Sequence, residues 1–275
     1  MKKKRNVQEK STVKKTMHCG TLGTRTEFID TAYYPEVSRK NSGRSRRYRE
    51  SSPKQKTLNG ERARRQFERL VKTNFSQKDL CVHLTYEQEI SLEEADHQTG
   101  LYLRRINDKR KRLGLPPAKY IVITEQCKSG RIHHHIIMDG LLDRDIVESK
   151  WGLGYANADR LQPDRRTGLA ALVAYLSKDP QGRKRWKPSK NLEKPWVSEK
   201  QNPLSKKKIN LLKNLPEDSE VVKKIIEDDN PGYRLIEFER AYSQETGQWY
   251  LYAKMILSTI YEQKFVNKVI GGGTS

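Results

Sequence analysis

Apolar positions along the middle of the chain fall into runs of two different periods. Residues 80–86, Leu-Cys-Val-His-Leu-Thr-Tyr, are rich in strand formers and predict a β-strand. Ser91 followed by Glu94 has capping-box spacing, and Ala95, Tyr102 and Ile106 then recur on one helical face until Gly114 and two prolines stop the pattern. Residues 120–124 predict the next strand, Lys128-Ser129-Gly130 supplies turn chemistry, and residues 132–138 return as its antiparallel partner. Further helices are expected over residues 145–151 and 167–178. Strands and helices interleave around a close hairpin, which predicts an α+β fold on an antiparallel sheet rather than a doubly wound parallel one.

The flanks follow weaker patterns. Asn59 can cap a helix near 60–72, in which Ala63, Phe67, Leu70 and Val71 share a face and Arg62, Arg64 and Arg65 lie elsewhere. Residues 201–275 read as a separate extension. They hold a charged segment, a helix around 221–226, β-like runs at 235–241 and 249–256 around Gly247, and a flexible Gly-Gly-Gly-Thr-Ser end. The expected organisation is a basic N-terminal arm over 1–72, a central domain over 73–200 and a C-terminal extension over 201–275. No internal repeat and no G-x-x-x-x-G-K-[ST] phosphate loop occurs, so an intrinsic ATP-driven motor is not supported.

Charge narrows the partner. The 275 residues include 55 Lys and Arg against 34 Asp and Glu, a net charge of +21, which favours a polyanion and makes nucleic acid the first candidate. Residues 1–72 hold 21 Lys and Arg against 7 Asp and Glu, so two thirds of that excess lies near the N-terminus. Within it, Arg46, Arg47 and Arg49 surround Tyr48 in a segment with little to bury, which reads as a DNA-binding arm or as a solvated charge run. No apolar stretch approaches the roughly 18 residues of a membrane-spanning helix, and no signal peptide follows Lys2-Lys3-Lys4-Arg5. A soluble, cytoplasmic protein with no membrane partner is expected. Cys19, Cys81 and Cys127, an odd number without pair spacing, suggest neither a disulfide framework nor a thiolate zinc site.

The chemistry concentrates in two places. Side chains alternate along a strand, so His133 and His135 point one way and His134 the other. Glu125, at the end of the preceding strand, can bring a carboxylate to the same spot across the hairpin. Two nitrogens and an oxygen with open positions suit a divalent metal that must also contact substrate. Two histidines at i, i+2 are by themselves equally compatible with a surface hairpin satisfied by water. In the helix over 167–178, Leu169, Leu172, Val173 and Leu176 form an apolar stripe with Tyr175 and Lys178 to one side. A tyrosine beside a cation and opposite a metal can act as a covalent nucleophile, whereas a lone helical tyrosine is ordinary surface.

Glu125-x4-Gly130-x2-His133-x-His135, followed by a helix bearing Tyr175-x-x-Lys178-Asp179, resembles the HUH endonucleases and, within them, the rolling-circle replication initiators. Leu84-Thr85-Tyr86 is similar to their first strand motif, and the resemblance covers about residues 78–195. The stretch from Trp151 through Arg185-Trp186-x-x-Ser189 to Pro195 is similar to replication-associated proteins of bacterial plasmids, phages and integrated elements. The resemblance implies a ferredoxin-like or RNA-recognition-like sheet with flanking helices. It implies His133, His135 and Glu125 as metal ligands, Tyr175 as nucleophile and Lys178 as a positioning or charge-neutralising group. There are two departures. The middle of the motif is His134 where the family usually has an apolar residue, and Ala171, one turn before Tyr175, replaces the second tyrosine of some phage initiators.

The implied activity is site-specific nicking and rejoining of single-stranded origin DNA in a bacterial cytoplasm. A 5′-phosphotyrosyl link would conserve the phosphodiester energy, so no ATP is needed. Mg²⁺ or Mn²⁺ would serve as Lewis acid and template, since a tyrosine hydroxyl ordinarily titrates near 10. Arg183, Lys184, Arg185, Trp186 and Lys187 supply cations and an aromatic that could hold and stack on DNA, or they form a plain basic loop after the helix. Unwinding and synthesis would fall to a host helicase and polymerase. A transposase or relaxase would use the same chemistry on other DNA ends. A non-catalytic DNA-binding regulator would leave the hairpin and Tyr175 unexplained, as would a zinc hydrolase at the same ligands.

Overall fold

In the computed structural model, residues 12–20, 27–35, 53–127, 129–164, 167–177, 185–243 and 248–258 are described. Two N-terminal strands, β1 (Thr12–Cys19) and β2 (Phe28–Pro35), precede helix α1 (Pro53–Asn74), strand β3 (Leu80–Thr85) and helix α2 (Leu92–Arg112). The hairpin strands β4 (Tyr120–Gln126) and β5 (Ile132–Met138) follow, then α3 (Arg144–Ser149), β6 (Ala156–Arg160), α4 (Ala170–Leu176) and the short β7 (Lys187–Pro188). The chain ends its described part with β8 (Trp196–Gln201), α5 (Lys206–Asn214), α6 (Glu220–Asp229), β9 (Tyr233–Ser243) and β10 (Gln248–Leu257). The fold is α+β, with two five-stranded antiparallel sheets among the described residues.

The chain separates into two compact units, Ser52–Lys194 and a discontinuous one of Met1–Ser51 with Pro195–Ser275. In the first, the sheet runs β6-β3-β5-β4-β7. Its core is a β-α-β-β-α-β succession, β3-α2-β4-β5-α3-β6, the split arrangement of ferredoxin-like sheets. Alternation divides the strands between two layers. Leu80, Val82, Leu84, Val122, Ile136 and Met138 bury against Tyr102 and Ile106 of α2 and Val147 of α3. Ile121, Ile123 and Ile137 bury on the opposite face against Phe67 and Val71 of α1 and Val173 and Leu176 of α4. Ser91 caps α2, its hydroxyl accepting from the Glu94 amide as the capping-box spacing predicts.

The second unit has sheet order β8-β1-β2-β10-β9. Ile29, Tyr33, Leu251, Ala253 and Met255 pack beneath Ile209 and Leu212 of α5 and Val222, Ile225 and Ile226 of α6. A buried network ties this layer together: Lys14 Nζ lies 2.7 Å from Asp229 Oδ2, to which the Tyr33 hydroxyl also donates at 2.7 Å.

Three boundaries differ from the sequence expectation. Residues 12–35 supply two strands of a sheet rather than a basic arm, because Val13, Phe28, Ile29 and Tyr33 have apolar partners only from the far end of the chain. Helix α1 belongs with the central domain, and it begins at Pro53 rather than near residue 60, leaving Asn59 inside the helix. Proline at a first helical position needs no amide donor, which suits that start. β8 pairs with β1 and so leaves the central domain, while β4 runs on to Gln126 and carries Glu125 within the strand. Arg46, Arg47 and Arg49 lie outside the described residues.

Candidate active site

Register carries the site. On β5, Glu125 of β4 is paired with His133, and His83 of β3 with His135. Directly paired residues share a face, so Glu125, His133, His135 and His83 all project toward the layer of α1 and α4. His134 points the other way and is fully buried: Thr124 Oγ1 lies 2.9 Å from its Nδ1, and Tyr86 Oη and Thr99 Oγ1 each 2.9 Å from its Nε2. It is a core histidine satisfied by hydroxyls, which explains how a polar residue stands in the middle of the motif. Burial lowers its pKa to about 4.

Glu125 Oε2 lies 3.1 Å from His133 Nε2 and 3.6 Å from His135 Nε2. Nδ1 of His133 meets the thiol of Cys127 at 3.4 Å, leaving Nε2 directed at the carboxylate. His135 Nε2 is buried without a hydrogen-bond partner in the protein. Burial is the largest cause holding the His135 pKa down to about 4, with His83 and His133 next, and burial also lowers that of His83. All of these favour neutral imidazoles with lone pairs available to a metal. The donor set, with an orphaned buried nitrogen aimed at a carboxylate, fits a divalent cation.

His83 was absent from the sequence expectation. One donor atom from each of His83, His133 and His135 lies within 4.8 Å of the others. The His83 and His135 rings stack at 4.8 Å and 9°, and His133 stands edge-on to both. The available signal was the alternation Cys81, His83, Thr85 against Leu80, Val82, Leu84. Using it requires knowing that β3 pairs with β5.

Tyr175 sits in the last turn of α4, with Val173 and Leu176 buried beneath it and its own ring 60 % exposed. That ring stands edge-on to His135, centroids 5.7 Å apart at 81°. The expected nucleophile and the expected ligands are thus neighbours. Lys178, Arg183 and Lys184 lie outside the described residues. Trp186 stacks on Phe67 at 5.0 Å, so one indole face is committed to packing, and Lys187 is paired with Asp96. Arg185 is exposed. No disulfide joins the cysteines, and no helix among the described residues is long and apolar enough to cross a membrane.

No curated protein and no solved structure matches the chain. Residues 79–180, the span holding His83, Glu125, the three consecutive histidines and Tyr175, match the family model of replication-associated proteins of the ORF2 type.

Proposed function

We propose that the protein initiates rolling-circle replication by nicking and rejoining single-stranded DNA through Tyr175. One observation carries this reading: an exposed tyrosine on a packed helix stands 5.7 Å from an imidazole of a cluster that also holds Glu125 and His133. The family match over residues 79–180 supports the replication context. The net charge of +21 supports a nucleic-acid substrate.

In the nicking step a bond forms between Tyr175 Oη and phosphorus, and the bond from phosphorus to O3′ breaks. The phenol proton is lost to solvent, and the leaving oxygen takes up a proton to become a free 3′-hydroxyl. The DNA 5′-phosphate stays on the tyrosine, so rejoining is the same step reversed and no nucleotide is consumed. Glu125, His133 and His135 would hold Mg²⁺ or Mn²⁺, which when bound polarises the phosphoryl oxygens. His135 also packs against the Tyr175 ring and limits where its hydroxyl can sit. Tyr86, Thr99 and Thr124 fix His134, and through it the β5 backbone between the two outer histidines. Lys178 would offset charge at the phosphate, and Arg183, Lys184 and Arg185, with the arginines at 46, 47 and 49, would contact the DNA backbone. Strand separation and synthesis would be left to a host helicase and polymerase in a bacterial cytoplasm.

The test incubates the full chain with labelled single-stranded DNA from its own locus, in Mn²⁺ or EDTA, and separates the products on a denaturing protein gel. A metal-dependent covalent adduct in the wild type, absent in Tyr175→Phe, is expected. An adduct that survives in Tyr175→Phe would discard the nucleophile. DNA binding with no adduct anywhere in the locus would discard the enzyme.

A further inference from the structure

We propose that His83 is a fourth protein donor at this site, making it a three-imidazole, one-carboxylate set that prefers Mn²⁺ and later transition metals to Mg²⁺. The proposal rests on the metal-dependent reading above and adds a ligand that the Glu125, His133 and His135 pattern does not contain.

Three observations converge. First, the β3/β5 register pairs His83 with His135, placing both on the sheet face that bears Glu125 and His133. Second, donor atoms of His83, His133 and His135 lie within 4.8 Å of one another. Two nitrogens on a common ion at bonds of about 2.1 Å can be up to about 4.2 Å apart, so roughly half an ångström of ring movement brings the three together. Third, His135 Nε2 is buried with no hydrogen-bond partner while its ring lies flat against His83. A buried polar nitrogen facing other nitrogens has no reason to persist without a cation to accept its lone pair.

The added imidazole changes which ion fits. Mg²⁺ favours oxygen ligands, demands near-octahedral geometry and keeps several waters, all of which three nitrogens oppose. Imidazole suits borderline metals, and affinity for such sites rises from Mn²⁺ along the divalent series. His83 is therefore a selectivity determinant of the metal, reached by a strand that is not part of the histidine hairpin.

The experiment titrates the full chain with Mn²⁺ and separately with Mg²⁺, reading bound Mn²⁺ by electron paramagnetic resonance and Mg²⁺ by calorimetry, for wild type and His83→Gln. The variant is expected to lose at least tenfold in Mn²⁺ affinity, and the ratio of Mn²⁺ to Mg²⁺ affinity is expected to fall by a similar factor. Equal Mn²⁺ affinity in the two proteins overturns the proposal. His83→Cys guards against a folding artefact, because a thiol that replaces a true ligand gives Co²⁺ a thiolate charge-transfer band absent from the wild type. A folded His83→Cys that binds Co²⁺ without that band also overturns it. These readouts need no DNA, so loss of adduct formation in the wild type would sink the nickase reading and leave the metal result standing.

Discussion

Three consecutive histidines have two different fates, and the difference is set by strand parity alone. His133 and His135 face a carboxylate and a third imidazole, while His134 is enclosed by three hydroxyls in the opposite layer. That enclosure has a consequence for stability. An imidazole in the unfolded chain titrates near 6.5 and His134 in the fold near 4, so between these values the unfolded chain binds more protons. Stability present at pH 7 is lost as the pH falls through that interval, by about 3 kcal/mol once it drops below 4. Denaturant unfolding of wild type and His134→Asn at several pH values between 7 and 4 checks this. The wild type should weaken more steeply, and parallel curves would remove the buried imidazole as the cause. At the same scale the sequence was legible in part. Alternation separated His134 from its neighbours, and the end of the preceding strand located Glu125. His83 was not legible, because its partner strand lies beyond helix α2.

At the scale of elements, the weakest piece carries the nucleophile. Helix α4 has seven residues, below the roughly 12 to 15 at which an isolated helix becomes marginally stable in water. Its position therefore depends on Leu169, Val173 and Leu176, each at most 4 % exposed and packed with Phe67 and Val71 of α1. Truncating Leu176 to Ala should lower stability by about 2–5 kcal/mol and slow adduct formation more than it weakens DNA binding, because Tyr175 would lose its fixed approach to His135. Chemical denaturation and a time course of adduct formation measure the two effects. An unchanged adduct rate in a folded Leu176→Ala would mean that α4 packing does not position the tyrosine. The apolar stripe of this helix was readable from its period. That the stripe docks on the histidine face, with α1 beside it, was not, since either face of the sheet is apolar enough to receive it.

At the scale of the molecule, the two units differ in how they use the chain. Ser52–Lys194 is continuous, with its own buried layers on both faces of a sheet, whereas the other unit needs both chain ends. Strands β1 and β2 lie between β8 and β10, so removing residues 1–51 breaks that sheet in the middle and strips Leu251 and Met255 of their neighbours. A fragment of residues 52–194 is expected to unfold in one cooperative transition and to retain metal-dependent adduct formation. A fragment of residues 52–275 is expected to be cut readily by protease after residue 194. Limited proteolysis with mass spectrometry distinguishes these outcomes, and a protease-resistant 195–275 segment would show that this unit does not depend on β1 and β2.

The sequence by itself determined what local periodicity and short-range pairing can encode: the strand and helix order from residue 80 onward, the β4/β5 hairpin, the capped start of α2, and the side of the strand on which each histidine stands. These follow from interactions between residues a few positions apart, whose geometry the chain cannot avoid. Only the tertiary structure decided that His83 joins the cluster, that Tyr175 meets His135, that Trp186 spends one face on Phe67, and that residues 12–35 complete a sheet begun near the other end of the chain. Each of those depends on which strand or helix lies beside which across long separations. Burial of apolar surface settles that choice collectively, and it leaves no mark on the period of any single segment.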